Sequence, residues 1–564
     1  MAYVVKKTIN GKIYYYLKES KRVDGKVKTK NIAYFGKKKP TKKDIENKTN
    51  AKKAKAEPVV PKKDNNVVPK LSKLYKGLPD SKAMVEIAEM AMFCKKKGFV
   101  YPTSEIYGGQ AGFFDYGPLG VELKNNIKQD WWKRFVQSRE DVVGIDGAII
   151  SHPKVWEASG HVANFSDVYV KCKNCKKPNK VDKNELEKAK CPECDGEYEV
   201  IGDVNLMFKT NVGPVEGNVA YLRPETAQLI FTDFKTVSET SRVKLPFGIA
   251  QIGKAFRNEI SPRDFLFRCR EFEQMEIEFF IHPEQVKCPL LKKSDHKFKF
   301  QLLTGKEQEE NKEEHSEITL GELLEKKMLG EWHAYWLKEN YQWFLNLGIE
   351  ESDLRLREHM RDELAHYSSA CFDIEYKYPF GWKEVHGNAN RGQYDLEQHE
   401  KVSKKSMELF DEESKKKVVP RVIEPSQGVD RAFLTVLFNA YYDDKERGNV
   451  VLKLIPKLAP IKVGVFPLVN KIKEDGRKVY DLLKEEFTCQ FDSSGSVGRR
   501  YARADEIGVP YCITFDFESL DDKSVTLRDR DTTKQIRVKI DSLKEVLTKL
   551  LNSELDFEKA GKLI

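Results

Sequence analysis

Between Gly253 and Phe280 the chain reads GKAFRNEISPRDFLFRCREFEQMEIEFF, with cations, carboxylates and aromatic rings interleaved at short spacing. Arg257, Arg268 and Arg270 stand among Glu259, Glu271, Glu273 and Glu276, with Phe256, Phe265, Phe267 and Phe272 between them. Guanidinium groups pair with phosphate oxygens, and phenyl rings offer flat apolar faces. The combination suits a planar, polyanionic ligand better than a solvated hairpin, whose surface ion pairs contribute little. A second stretch, VIEPSQGVDRAFLTVLF (422–438), sets Glu424 before a Pro425-Ser426-Gln427-Gly428 turn and Arg431 just after it. A third pattern is Cys172-x2-Cys175-x15-Cys191-x2-Cys194. That spacing is a zinc-ribbon pattern, and four thiolates make a closed structural site with no open position for catalysis.

These residues need positioning elements. The first stretch reads as strand, loop, strand, and alternation puts Phe272, Gln274, Glu276 and Glu278 on one face. The second reads as a strand through Glu424, a turn, and a helix opening near Val429, with Arg431 in its first turn. Upstream, a helix is expected from an Asp80 N-cap to Gly98, with an apolar stripe of Met84, Ile87, Met90, Ala91 and Cys94. Another follows Gly117-Pro118, where Leu123, Ile127, Trp131 and Phe135 recur on one face. Residues 140–280 read as short β-rich runs between turns, and 282–330, charged and poor in aromatics, as a surface insertion. A helix is expected over 331–347, strands over 372–395 and 418–424, and an apolar helix over 428–442. Beyond Pro456 and Pro460 the order is strand (Lys462–Phe466), helix (Gly476–Phe487), helix (Gly498–Ile507), strand (Tyr511–Phe515) and hairpin (Val525–Leu527, Ile536–Ile540). That order suggests a separate α/β domain.

The chain has 564 residues, more than one core usually serves, so several domains are expected. No uninterrupted apolar run is long enough for a membrane helix, and the N-terminus lacks the apolar core of a signal peptide. The ten cysteines, four at metal-ligand spacing, fit a reducing compartment rather than a disulfide scaffold. The net charge of +10 is segregated: residues 1–70 hold 21 Lys and Arg against 6 Asp and Glu, and the rest is net −5. A basic arm points to a polyanion, most simply nucleic acid. Within it three β-rich runs are separated by Asn10-Gly11 and Asp24-Gly25, both hairpin signals, so a small meander is expected over 2–36, then a flexible Lys/Pro-rich linker. The chain has no phosphate loop of the G-x-x-x-x-G-K-[ST] type and no Rossmann fingerprint, so a nucleotide must be held in another way.

The two charged stretches, in this order, resemble the second and third signature motifs of class II aminoacyl-tRNA synthetases, and the helix at Gly117-Pro118-Leu119-Gly120 resembles the first. The closest resemblance is to the dimeric type of glycyl-tRNA synthetase, carried by EIYGGQAGFFDYGPLGVELKNNIK (105–128), WEASGHVANFSD (156–167), LRPETAQ (222–228), GIAQIGKAFRNEISPR (248–263), CREFEQMEIEFF (269–280), IEPSQGVDR (423–431) and DSSGSVGRRYARADEIGVPYCITFD (492–516). It covers about residues 81–555.

The resemblance implies an α+β fold: a class II antiparallel sheet flanked by helices, a C-terminal α/β anticodon-binding domain and a small basic N-terminal β-rich arm. The implied domains are 1–36 (appendage), 37–79 (linker), 80–457 (catalytic, with a zinc-ribbon-like insertion at about 168–204 and a charged one at about 282–330) and 458–564 (anticodon-binding). It implies that Arg257, Glu259 and Arg431 are catalytic: Arg257 on the α-phosphate, Glu259 on adenine or its water, Arg431 on the γ-phosphate. Phe272 would stack on adenine, Arg268 would meet the phosphate tail, and Glu384 and Glu424 would serve ATP and its magnesium. The remaining implied ATP positions are Asn258, Phe267, Cys269, Arg270, Glu271, Val385, Gly428, Val429 and Asp430. Glycine would be held around Glu225, Phe272, Glu273, Gln274, Met275, Glu276, Arg391, Glu424, Pro425 and Ser426. Lys180 stands where many relatives carry Arg, in Asn179-Lys180-Val181-Asp182, keeping the charge but losing the bidentate fork. Arg499, Arg500, Arg503 and Lys534 are expected RNA contacts. ATP with Mg2+, a structural Zn2+ at the four cysteines, tRNA(Gly), glycine, a homodimer, no membrane and a cytoplasmic location complete the expectation. Two rival readings are a non-catalytic nucleic-acid-binding module and a dinucleoside polyphosphate synthase. The first would be expected to lose Arg257, Glu259 or Arg431, and an anticodon module argues against the second.

Overall fold

Hydrophobic spacing sets the helix that backs the site. A computed structural model describes residues 2–9, 12–23, 26–36, 85–181, 186, 189–214, 217–310, 315–360 and 370–564. In it Gly117 caps a helix, Pro118–Trp132, with Pro118 in its first turn. Leu123, Ile127, Trp131 and Phe135 are all buried, Phe135 lying in a π-helical turn, Lys133–Gln137, that prolongs the helix. The preceding helix, Ile87–Lys97, ends at Gly98 in the left-handed region. The expected cap Asp80 and Met84 lie outside the described residues.

The helix Pro118–Trp132 packs against a nine-stranded sheet. From one edge the strands run Ser316–Thr319, Lys299–Leu303, Leu354–Glu358, Ala370–Tyr378, Gly381–Gly392, Arg421–Gly428, Glu271–Ile281, Phe247–Phe256 and Val142–Ile145. Neighbours are antiparallel except the last pair and the pair Lys299–Leu303 and Leu354–Glu358. The segment 282–330 does more than cover the surface: it supplies two edge strands and buries Phe300, Leu302, Ile318 and Leu323 in the main core. Its high charge reflects the outward face of an edge.

The helix Ala227–Ser241 falls within the stretch read as β-rich runs. Its buried Ala227, Ile230, Phe231 and Phe234 have helical spacing, a signal the β-rich surroundings masked. Together with the helix Tyr394–Ser403 it covers the opposite face of the sheet, where Phe247, Ile249, Phe280, Leu396 and Val422 form a second core.

The C-terminal segment has its own core and a six-stranded mixed sheet, starting with parallel strands Cys489–Phe491, Val463–Pro467 and Tyr511–Phe515. Its helices are Lys473–Leu483, Val497–Glu506 and, beyond the expected elements, Leu543–Leu551.

Chain contacts divide the molecule into residues 1–80 and 81–564. The first unit contains an antiparallel sheet of Ala2–Ile9, Lys12–Val23 and Lys26–Gly36 in chain order. Ile9 pairs with Lys12 and Val23 with Lys26, so each connection spans two residues, the length an Asn-Gly or Asp-Gly turn favours. The expected linker lies outside the described residues.

Candidate active site

The hairpin of Phe247–Phe256 and Glu271–Ile281 forms the floor of the cleft, with Gln251 opposite Glu276 and Phe256 opposite Glu271. Strand alternation sorts its charges between two faces. Glu273 faces the helix Pro118–Trp132, where it pairs with Lys124 and Lys128, both at 2.9 Å. Asp430 shares that face, accepting from Tyr116, from Lys124 at 3.4 Å and from the Glu273 N–H at 2.7 Å. Met275, Val385 and Val429 are core residues, and Cys269 is buried. The side chains of Glu273, Met275, Val385, Val429, Asp430 and Cys269 are thus turned away from the cleft, contrary to the roles the motif comparison implied for them. A contiguous motif names every position, but only alternate ones project into a site.

On the cleft face, the Arg257 guanidinium lies 5.2 Å above the Phe272 ring while its Nε donates to the Pro224 carbonyl at 3.0 Å. The buried Glu259 accepts from Arg268 Nε at 2.8 Å. At the other side Arg431 sits 4.4 Å over Phe267 and pairs with Glu384 at 3.0 Å. Two guanidinium–aromatic pairs therefore flank the hairpin. Burial would raise the Glu384 carboxyl, but Arg431 beside it holds it below its ordinary value. Arg270 is committed to backbone, donating to the carbonyls of Glu259 at 2.9 Å and Ala111 at 3.1 Å, and Glu271 pairs with Lys254 at 2.7 Å. Both brace the hairpin from outside the phenyl–guanidinium cradle. Asn258 donates its N–H to the Leu206 carbonyl.

Further along the same face lies a buried polar pocket. Glu276 accepts from the hydroxyls of Thr226 and, at 2.7 Å, Ser426. Glu225 lies 3.3 Å from His161 and 3.8 Å from Arg391, and accepts from Gln228 at 3.0 Å. Burial pushes Glu225 up, yet His161, Arg391 and Gln228 together hold it well below the carboxylate range. Glu276 is raised, by burial first and then by the negative Glu225. Arg391 is gripped bidentately by Asp395 at 2.8 and 2.9 Å and donates to Glu424 at 3.0 Å. Glu424 thus belongs to this pocket with Glu276, rather than beside Glu384 at the nucleotide end. Gln274 and Pro425 are buried on the same two strands, and Gly428 caps the helix Val429–Ala440.

Several participants escaped the motif reading. Asp395 orients Arg391, His161 partners Glu225, and the buried Arg223 donates to the carbonyls of Lys254 at 2.6 Å and Gly147 at 2.7 Å. A Cβ at Gly253 would lie 2.2 Å from Arg223 Nη2, so glycine is what lets this guanidinium cross the strand. Only the i, i+4 spacing of Arg391 and Asp395 on their connection was legible in sequence.

The four cysteines come together. Cys172 and Cys194 sulfurs are 3.4 Å apart, and those of Cys175 and Cys191 3.6 Å. A tetrahedral zinc site with bonds of about 2.3 Å requires sulfur separations of ~3.8 Å, so the arrangement fits one. The two Cys-x2-Cys turns match: Lys176 donates its N–H to the Cys172 carbonyl and Asp195 to that of Cys191, with both residues at positive φ. A Cβ at Gly196 would press on Cys172 Sγ at 3.0 Å. Lys180 stands on a ribbon strand, paired with Asp167 at 2.6 Å, and lines a cleft of about 320 Å³ with Ser261, Arg263 and Arg268 rather than joining Glu225 and Glu276. In the C-terminal segment Arg500 is internal, donating to the carbonyls of Pro467 at 2.6 Å and Gly495 at 2.9 Å, so it is a structural residue and not an RNA contact. Arg503 pairs with Asp492, Lys534 with Glu558, and Arg499 is exposed.

Residues 211–293 match the family described as "tRNA synthetase class II core domain (G, H, P, S and T)", and residues 462–550 the one described as "Anticodon binding domain". A solved prolyl-tRNA synthetase from Cryptosporidium parvum superposes with a TM-score of 0.52 at 15% identity, over 85% of this chain and 77% of that one. Fold and cleft together define a class II aminoacyl-tRNA synthetase. Sequence relatives narrow the class. A glycine–tRNA ligase of Acetivibrio thermocellus is 45% identical over 494 residues, 82% of this chain and 97% of its own. Those of Borrelia hermsii and Caldanaerobacter subterraneus are each 44% identical, covering 83% of this chain and 98% and 99% of theirs. The chain belongs to the glycine–tRNA ligase family. Among the described residues no helix is long and apolar enough to cross a membrane.

Proposed function

We propose that the protein activates glycine with ATP and transfers it to the 3′ end of tRNA(Gly). The observation that carries this reading is the pair of buried carboxylates, Glu225 and Glu276, on the same sheet face as the Arg257–Phe272 and Arg431–Phe267 pairs. Glycine offers only an ammonium and a carboxylate. The ammonium sits between Glu225 and Glu276, relieving the repulsion that raises Glu276. The free carboxylate then faces the nucleotide, whose adenine stacks on Phe272.

In the first step a glycine carboxylate oxygen attacks the α-phosphorus and the bond to pyrophosphate breaks. Arg257 stabilises the charge on the α-phosphate and Arg431 that on the leaving group. No protein base is required, so catalysis is mainly positioning and electrostatics. In the second step the tRNA terminal hydroxyl attacks the glycyl carbonyl and AMP leaves. Glu384 is the carboxylate suited to a magnesium ion, which would neutralise triphosphate charge while keeping most of its water. The four cysteines hold a structural zinc ion whose contribution is ribbon folding. A wall at the α-carbon is enough to refuse alanine, because excluding a larger substrate needs no editing.

We assign the appendage, linker, catalytic and anticodon-binding segments the boundaries given above, with Arg499 the most accessible candidate for RNA contact in the last. A homodimer in the cytoplasm is the expected working form. Amino-acid-dependent ATP–pyrophosphate exchange tests the reading across the twenty amino acids. Glycine alone should support rapid exchange, and comparable exchange with another amino acid would overturn it.

A further inference from the structure

Two residues past Glu276, on the same face of the same strand, lies Glu278. It is fully buried, and neither carboxyl oxygen has a hydrogen-bond partner. The register pairs Glu276 with Ser426 and Phe279 with Ile423, which sets Glu278 directly opposite Glu424 on the neighbouring strand. One oxygen from each of Glu276, Glu278 and Glu424 lies within 4.8 Å of the others. Like charges opposed across a sheet are destabilising, and buried carboxylates this close do not all ionise.

The surrounding charges do not balance three anions. Arg391, from the adjacent strand, is the cation facing the cluster, and it is already bound to Asp395 and Glu424. Asp395, from the helix Tyr394–Ser403, and Glu225, beyond Glu276, add negative charge. Burial and Glu424 both push the Glu278 carboxyl far above its ordinary value.

We propose that Glu278 is a positioning residue of the glycine pocket: as a neutral carboxylic acid it donates a hydrogen bond to Glu424, which holds Arg391 and leaves Glu276 and Glu225 as the anions that meet the substrate ammonium. The inference rests on the glycine-pocket reading above. It assigns Glu278 no contact with substrate. A neutral donor lets Glu424 stay charged toward Arg391 without forcing a second naked anion into the sheet.

The test compares Glu278→Gln, which keeps a neutral donor, with Glu278→Leu, which removes it. In glycine-dependent pyrophosphate exchange the Leu variant should raise the glycine KM at least tenfold while the ATP KM stays within about twofold. The Gln variant should bring the glycine KM back to within about threefold of wild type. A Leu variant with an unchanged glycine KM, or a Gln variant no better than Leu, would overturn the inference. A readout independent of activity, and of whether the Leu variant folds, is infrared difference spectroscopy between wild type and Glu278→Gln. It should show a protonated-carboxyl C=O band in the wild type alone, and absence of that band would equally overturn the assignment. Glu276→Gln in the same assay separates the two levels. If it leaves the glycine KM untouched, the pocket reading fails. If it is severely impaired while Glu278→Leu is not, only the role of Glu278 falls.

Discussion

Arg257 and Glu276 serve opposite ends of one cleft, and their replacements should fail in different ways. Arg257 lies over Phe272 and is anchored to the Pro224 carbonyl, so its loss removes a positioned cation where charge develops on the α-phosphate. Arg257→Ala should lower adenylate formation by about 10²–10³, the effect of losing one preorganised donor, with the melting temperature nearly unchanged. Near-wild-type exchange would remove Arg257 from the mechanism. Glu276 is held by two hydroxyls and meets the ammonium. Glu276→Gln keeps the size but not the charge, and breaking a buried charged contact costs about 2–5 kcal/mol. Glycine activation should fall by orders of magnitude with ATP affinity much less affected, and alanine should not be gained. Equilibrium binding of each substrate separates the effects, and normal glycine activation would contradict the pocket described.

At the scale of elements, the ribbon and the sheet carry separate sensitivities. The cysteine sulfurs stand at tetrahedral separations, so purified protein should contain about one zinc per chain. Cys191→Ser should lose the metal and with it the hydrogen-exchange protection of the strand Ser166–Cys172, while the strand Tyr511–Phe515 stays protected. Full protection of the ribbon without metal would show that zinc does not support its fold. In the sheet, His333 on the helix Glu331–Asn346 bonds the Asn388 carbonyl at 2.8 Å. Burial pushes its imidazole from the ordinary 6.5 down to about 4, and that of His386 to about 3. Below pH 6.5 the unfolded chain therefore binds protons that the folded one refuses. The stability these groups contribute is complete above that pH and is lost as pH falls towards about 4. His333→Gln should melt lower at pH 7.5 but lose less between pH 7 and 5. Parallel melting curves for variant and wild type would show that His333 does not set the acid sensitivity.

The whole molecule divides its tasks by charge and core. Residues 81–564 contain the catalytic sheet and a C-terminal segment tied to it by Arg447, which pairs with Asp444 at 3.1 Å and Asp505 at 3.2 Å and donates to the Arg530 carbonyl at 2.8 Å. Arg530 in turn donates to the carbonyls of Leu454 at 2.7 Å and Gly508 at 2.9 Å. The first 70 residues carry the chain's entire positive excess. Each phosphate a cation neutralises contributes about 0.7–0.9 to the salt slope of log K. Deleting residues 1–80 should weaken tRNA(Gly) binding and flatten its salt dependence while leaving pyrophosphate exchange intact. Equal affinity and slope with and without the segment would separate it from tRNA recognition.

The sequence by itself determined the contiguous features: the strand–loop–strand with Arg257 and Glu259, the helix opening at Val429, the apolar stripe behind Gly117-Pro118 and the paired cysteines. Each is encoded by spacing within a few residues, where alternation, helical period and turn chemistry act locally. Tertiary structure decided which members of a motif reach the cleft. Glu273 and Glu276 look alike in sequence, yet one faces Lys124 and Lys128 and the other Thr226 and Ser426. It also decided that Arg500 is internal, that Asp395 grips Arg391 and that Glu278 opposes Glu424. Burial, and with it the protonation of a carboxyl group, depends on strands far apart in the chain, and no local pattern records which strand will lie alongside which.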